Sequence, residues 1–151
     1  MIDKAIRKVE TGVSIITTKY DNKINGIAVA WLSRASMQPP MIMISIGKTR
    51  YSHGLIKQSR IFAVNVLGKE HIELGRHFGT QSGKDIDKFQ DIEHEEKETG
   101  SPILKDAVAW LDCKVINECD AGDHTIFVGE VIDGDVISDE EPIIYSRGDF
   151  Y

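Results

Sequence analysis

Arg50 and Ser52 lie at the start of a predicted helix, where their chemistry suits the binding of an anion. The free N–H groups and the dipole of a helix N-terminus favour a phosphate group, and a guanidinium can add a bidentate contact. The same residues also fit a helix that Ser52 caps while Arg50 is solvated. The pattern alone therefore leaves both interpretations open, a phosphate site and an ordinary helix start.

A second stretch, residues 25–40, begins with an apolar run that ends in Trp31, continues with hydroxyl and guanidinium groups, and closes with Pro39-Pro40. An indole at the end of an apolar strand can hold a flat aromatic ligand, and the polar groups that follow can meet the ligand's charged end. A single tryptophan at a strand end is, however, more often part of a hydrophobic core. Spacing alone does not decide between these two roles.

Several familiar sites are absent from the sequence, which contains no GxGxxG, GxxxxGK[ST], GxSxG or HExxH motif. Any nucleotide binding is therefore not of the Rossmann type. The five histidines are scattered, so we expect no metal site. The net charge of −6 argues against a nucleic-acid partner. Cys113 and Cys119 match neither a redox nor a zinc spacing, and we expect Cys113 in the core, Cys119 in a loop and no disulfide between them.

The length and the apolar pattern predict one domain over residues 1–151, because a chain of this length can bury a core without disulfides. The longest apolar runs are far shorter than the roughly 20 residues that span a bilayer. The start at Met1 lacks the apolar core and the cleavage site of a secretory signal. We therefore expect a cytoplasmic protein that does not enter a membrane.

The elements that would position these side chains are mostly short strands, predicted from β-branched density and turn residues. The predicted strands are residues 13–18, 24–32, 41–46, 61–67, 108–116, 124–132 and 143–145. Short helices are predicted within residues 2–9, 51–59 and 72–79. We expect turns at 21–23, 121–123 and 133–135, and a surface loop over the acidic stretch 80–100. This order favours an antiparallel barrel or sandwich over a parallel sheet.

Read in order, several short motifs resemble those of the flavin reductase-like FMN-binding split-barrel proteins, and most of all their flavoredoxin-like branch. The ordered set covers nearly the whole chain, although each motif is short. The stretches that carry the resemblance are residues 13–18, Asn25-Gly26 through Trp31-Leu32-Ser33 to Ser36 and Pro39-Pro40, residues 50–53, 62–67, 82–89 (SGKDIDKF), Ser101-Pro102, residues 110–113, 122–125 and 129–131.

The resemblance implies a mainly β fold, an antiparallel split β-barrel of Greek-key type with a few short α-helices. It also implies a homodimer in which each subunit binds one FMN, without a covalent link, near the subunit interface. The residues that would contact the isoalloxazine are Asn25, Ala28, Ala30 and Trp31. Those that would hold the ribityl phosphate are Ser33, Ser36, Arg50 and Ser52, and Lys88 would add a positive charge near the flavin or its phosphate.

His124 corresponds to a histidine that lies beside the flavin where nicotinamide approaches in the reductase branch. The resemblance makes it the candidate catalytic residue, one that orients the electron donor or the substrate without abstracting a proton, and closing a turn through Asp123 is an equal alternative. Ala28 departs from the family, because many relatives have threonine or serine there. A backbone N–H group could still make that contact, since the backbone offers donors whatever its side chains.

The function implied is that of an FMN oxidoreductase that accepts a hydride from NAD(P)H and passes electrons to flavin, iron or a redox protein. A second hypothesis is a non-catalytic FMN electron carrier that a redox protein reduces, because no nicotinamide-binding motif is recognisable. A third is a cofactor-free dimeric scaffold, which the alanine at position 28 slightly favours.

Overall fold

The computed structural model describes residues 1–145, which form three α-helices and nine strands. The helices are α1 Ile2–Ile6, α2 Tyr51–Ser59 and α3 Ile72–Gly79, and a 3-10 turn, Lys69–His71, precedes α3. The strands are β1 Ser14–Tyr20, β2 Lys23–Val29, β3 Leu32–Met37, β4 Pro40–Gly47, β5 Ile61–Val66, β6 His94–Glu96, β7 Pro102–Leu104, β8 Ala109–Ala121 and β9 His124–Val136. The predicted mainly β architecture is confirmed.

Seven strands form one antiparallel sheet in the order β2-β1-β5-β8-β9-β4-β3, and β6 and β7 form a separate pair. The β1–β2 hairpin turns at Asp21 and Asn22, whose φ values of 51° and 65° suit the twist of a two-residue hairpin turn. At the other end of β2 the Ser45 N–H in β4 donates to the Trp31 carbonyl at 3.0 Å. The sheet therefore curls until the chain that leaves its β2 edge meets β4.

Two hydrophobic clusters lie on opposite faces of β1 and β2. Neighbouring residues of a strand point to opposite faces, so Ile16 and Val29 enter one cluster while Ile15 and Ala28 enter the other. The first cluster includes Phe62 and Phe127, and the second includes Phe78, Phe89 and Leu104. Both faces of these strands are buried, which fixes the position of the chain that continues to Trp31.

The predicted strand over residues 24–32 is wrong at its end. β2 stops at Val29, and residues 32–37 form a separate strand, β3, that pairs with β4 through Leu32 and Ile44. β3 is an edge strand with mostly exposed side chains, so it lacks the apolar alternation that identifies a half-buried strand. The hydroxyl-rich sequence was therefore not recognised as a strand.

The turn predicted at residues 133–135 is also wrong, because β9 continues to Val136 and Gly134 pairs with Leu111. A Cβ atom at Gly134 would lie 2.9 Å from Leu111 Cδ2 and from the Trp110 carbonyl oxygen. The glycine allows close approach of two strands rather than a turn.

Three further expectations are corrected by the structure. The acidic stretch contains β6, which pairs with β7, and in place of the predicted strand over 143–145 only Ile144 forms an isolated bridge, to Gly12. Cys119 lies in β8 and is exposed, not in a loop. Cys113 is buried in the core and both thiols are free, as predicted. Within residues 1–145, no helix has the length and apolar character needed to cross a membrane.

Candidate functional site

A cavity of about 240 Å³, called the apolar cavity because most of its lining residues are apolar, opens where β2 ends and faces the start of β9. The buried Ala28 and Ala30 line this cavity. Trp31, with 56% of its surface exposed, and His124 line it as well. The complete lining is Ile27, Ala28, Val29, Ala30, Trp31, Ser45, Ile46, Gly47, Arg50, His124 and Tyr145. The structure thus brings together Ala28, Ala30, Trp31 and His124, four of the residues that the family resemblance assigns to the flavin site.

A second cavity, of about 470 Å³ and polar, adjoins the first and shares Ile27 and Arg50 with it. Its walls come from β2, from the start of α2 and from the irregular segment after α3. The complete lining is Asn25, Ile27, Thr49, Arg50, Tyr51, Ser52, Thr80, Gln81, Ser82, Gly83, Asp85 and Lys88. The predicted residues Asn25, Arg50, Ser52 and Lys88 meet here.

Arg50, not Ser52, is the N-cap residue of α2, so the predicted cap is wrong. Its backbone is extended (φ −76°, ψ 144°), and its side chain is exposed between the two cavities. Ser52 is 1% exposed, and its Oγ accepts a 2.7 Å hydrogen bond from Asn25 Nδ2. The hydroxyl is therefore engaged with β2 at the floor of the polar cavity.

The Lys88 ammonium is also buried, with 3% of the residue exposed. Its Nζ donates to the carbonyl oxygens of Gly26 and Phe78, each at 2.9 Å. Burial, and secondly the nearby Arg50 guanidinium, lower the pKa of Lys88 to about 8. The polar cavity therefore has two neighbouring positive charges, an arrangement that favours an anionic ligand.

Trp31 and His124 pack against each other with ring centroids 4.6 Å apart and an interplanar angle of 38°. His124 Nδ1 lies 2.7 Å from Asp123 Oδ1, and this hydrogen bond lowers the pKa of the Asp123 carboxyl. When Nδ1 donates its proton to Asp123 in that bond, Nε2 is the ring nitrogen that remains available to a ligand. His124 thus both contacts Asp123 at the turn and lines the apolar cavity.

Ser33 and Ser36 lie on β3, and neither of them lines the apolar or the polar cavity. Ser33 is exposed, and its Oγ bonds the carbonyl of Arg34 at 3.2 Å. Within one copy of the described chain, the residues assigned to the phosphate end that line the polar cavity are therefore Arg50, Ser52 and Lys88.

Sequence reasoning missed two contributions to these walls. Tyr145 lines the apolar cavity. Its backbone N–H donates to the Thr11 carbonyl at 2.7 Å, and this bond joins the segment after β9 to the segment before β1. Residues 80–83 and Asp85 line the polar cavity although their acidic, polar surroundings predicted only a surface loop. The glycine within SGKD was the available signal, because Gly83 packs directly on Asn25.

A sequence profile described as "Flavin reductase like domain" matches residues 6–151, almost the entire chain. The chain belongs to the flavin reductase-like domain family. This confirms the family that the ordered motifs indicated.

Known proteins of this family resemble the chain over nearly all of its length. The reductase subunit HsaB of a flavin-dependent monooxygenase from Rhodococcus jostii is 37% identical over 140 residues, which cover 93% of this chain and 70% of that protein. The NADH:FAD oxidoreductase SgcE6 of Streptomyces globisporus superposes with a TM-score of 0.86 at 29% identity, covering 96% of this chain and 81% of that one.

Flavoredoxin from Methanosarcina acetivorans superposes with a TM-score of 0.86 at 23% identity, covering 93% of this chain and 82% of that one. At this identity the likeness shows a shared fold. The folds similar to this chain therefore include those of a reductase and of a flavoredoxin.

Proposed function

We propose that this chain is a flavin reductase-type oxidoreductase that binds FMN without a covalent link, accepts a hydride from NAD(P)H and passes electrons to flavin, iron or a protein. The observation that carries the proposal is the junction of two unlike cavities at Arg50, one apolar and one cationic. A flavin mononucleotide has the same two parts, a flat aromatic ring system and a polar chain that ends in a phosphate.

The residues present fit such a ligand. The apolar cavity offers small side chains at Ala28 and Ala30 and an aromatic rim at Trp31, which suit a flat ring. The polar cavity offers the Arg50 and Lys88 charges, which suit a phosphate. β2 is an edge strand, and such a strand has backbone groups on its outer side that can reach the polar edge of a ring.

The bound flavin would supply hydride acceptance and electron transfer, while this chain's own residues bind and orient. Arg50 stands between the cavities and so can bind the phosphate end while it limits rotation of the whole ligand. His124, fixed by Asp123 and packed on Trp31, is placed to orient the nicotinamide donor at the cavity mouth. We assign it no proton abstraction.

We also propose that two copies of the chain associate beside the site. Trp31 directly precedes the edge strand β3 and lines the apolar cavity, and Met37 ends that strand; they are 56% and 83% exposed. Association would remove these apolar side chains from water. Light scattering of the protein as it elutes from a size-exclusion column tests the proposed association. A mass near twice 16.9 kDa supports it, and a monomer at micromolar concentration contradicts it.

The experiment that tests the function begins with the apoprotein titrated with FMN and, in parallel, with FAD, followed by flavin fluorescence. NADH or NADPH is then added in the absence of oxygen, and the visible absorbance of the flavin is recorded. Binding followed by bleaching supports the reductase. Binding without bleaching indicates the electron carrier, and no binding of either flavin contradicts both and leaves the scaffold.

Two substitutions locate the binding to this site. Arg50→Ala should weaken FMN binding by about 10- to 100-fold, because it removes a charge-assisted contact of about 1.5–3 kcal/mol. Arg34→Ala is the matched control, since Arg34 is exposed on β3 and lines neither cavity. Equal effects of the two substitutions would place the flavin elsewhere.

A further inference from the structure

The Lys88 ammonium joins two separate elements of the protein. Its hydrogen bonds reach the Gly26 carbonyl in β2 and the Phe78 carbonyl in the last turn of α3. Among residues 1–145 no carboxylate forms an ion pair with it. Buried lysines normally have such a partner, so the two carbonyls are what compensates the burial of this one.

The segment that contains Lys88, residues 80–88, forms one wall of the polar cavity. Five of its residues line that cavity besides Lys88 itself, namely Thr80, Gln81, Ser82, Gly83 and Asp85. The segment has no helix or strand, and its own backbone bonds are local, such as those from the N–H groups of Asp85 and Ile86 to the Ser82 carbonyl. It nevertheless lies against β2, since a Cβ atom at Gly83 would be 1.9 Å from Asn25 Oδ1.

Three hydrogen bonds at the end of this segment involve Lys88. His77 Nε2 in α3 bonds the Lys88 carbonyl at 2.6 Å, while the ammonium bonds α3 and β2. The two carbonyls engage two of the three N–H donors of the ammonium and therefore fix its direction. A single side chain thus ties the segment to the strand that forms the opposite side of the cavity.

We propose that Lys88 is a positioning residue that fastens segment 80–88 to β2 and so builds the wall of the polar cavity. It acts through the Gly26 and Phe78 carbonyls, in addition to the charge it contributes. The part of this inference that concerns ligand affinity rests on the proposed function, because it takes the polar cavity as the place of the ribityl phosphate.

The test uses Lys88→Met, which keeps an unbranched apolar side chain, one heavy atom shorter than that of lysine, but removes the donors. Lys84→Met is the matched control, because it makes the same change of charge in the same segment at an exposed position that lines neither cavity. Circular dichroism first establishes that each variant is folded. Hydrogen–deuterium exchange of the apoprotein and the affinities for FMN and lumiflavin are then measured.

In K88M we expect the amides of segment 80–88 to exchange at least about tenfold faster, while the amides of β8 and β9 keep their rates. FMN affinity should fall at least about tenfold, because the wall of its phosphate cavity is lost. Lumiflavin has the ring system but neither ribityl chain nor phosphate, so its affinity should change less than about threefold. K84M should match the wild type in all three measurements.

Unchanged exchange in segment 80–88 of folded K88M would overturn the proposal, and so would an equal loss of affinity for FMN and lumiflavin. If K88M does not fold, Lys88→Arg decides: it keeps cationic donors, so exchange and FMN affinity should stay within about threefold of the wild type. A folded K88R variant in which segment 80–88 exchanges faster, or in which FMN affinity is lost, overturns the proposal. If the wild type binds no flavin, the proposed function fails, and the exchange measurement still tests the fastening.

Discussion

Asn25 Nδ2 donates a hydrogen bond of 2.7 Å to Ser52 Oγ, with the two residues only 2% and 1% exposed. The bond joins β2 to α2 at the floor of the polar cavity, and the other end of the carboxamide faces the backbone at Gly83. Two residues that the family resemblance assigns to a ligand are therefore partners of each other. In the proposed site they would therefore act in part by holding the cavity walls.

Ser52→Ala should lower the free energy of unfolding by about 1–3 kcal/mol, because it leaves a buried amide of Asn25 without its acceptor. It should also weaken FMN binding. Ser33→Ala removes a hydroxyl that bonds only its neighbour's backbone and lines neither cavity, so both quantities should stay close to those of the wild type. Urea denaturation and flavin titration measure the two effects, and a larger loss of FMN affinity in S33A than in S52A would show that β3 carries the phosphate.

Gly83→Ala should destabilise the protein and weaken FMN binding together. The new Cβ atom would be 1.9 Å from Asn25 Oδ1, so either the segment or the carboxamide must move. We expect a cost of about 1–3 kcal/mol, as for other overpacked sites. Gly54→Ala is the control: no atom lies within 4 Å of its added Cβ, and alanine in the middle of α2 should raise stability by about 0.5–1 kcal/mol. A melting temperature that is higher for G83A than for G54A would contradict this packing.

The stability of the apoprotein should depend on pH through Lys88. The pKa of Lys88 is lowered to about 8 in the folded protein from an ordinary value of 10.5. Between these values the unfolded chain binds more protons, so this group's contribution to stability rises with pH and is constant below about 8. Burial raises the pKa of Cys113 to about 12, which acts in the opposite direction above pH 9.

The comparison of wild type with K88M removes the Cys113 effect, because both proteins contain that thiol. The difference in free energy of unfolding, measured by urea denaturation from pH 7 to 10.5, should rise in favour of the wild type above pH 8. A difference that is flat across this range would mean that Lys88 is not desolvated in the folded protein.

Glu70→Gln should raise the melting temperature at pH 7 and have a smaller effect at pH 4. The hydrogen bond to the Glu70 carboxyl raises the pKa of the Glu140 carboxyl. A carboxyl pKa that is higher in the folded state means that stability falls as pH rises above the ordinary carboxyl range. Glutamine removes one charge of the pair and can donate to Glu140. Glu10→Gln, at an exposed position in the sequence between α1 and β1, is the control for the change in net charge.

Periodicity and turn chemistry in the sequence were sufficient for the buried elements. β1, β5 and the start of β8 have dense β-branched or aromatic residues whose burial needs no knowledge of their partners. Periodicity and turn chemistry failed where a neighbouring strand decides the conformation. β3 is polar because it is an edge, and Gly134 lies within a strand because Leu111 and the Trp110 backbone approach it closely.

The site divides in the same way. The sequence by itself determined the family and the residue types that meet at the cavities, because the motifs around Trp31, Arg50 and Lys88 keep their order along the chain. Only the tertiary structure decided their roles. Lys88 bonds two backbone carbonyls, Ser52 bonds Asn25, and Ser33 lies outside both cavities, because the direction of a side chain depends on contacts between residues far apart in the sequence.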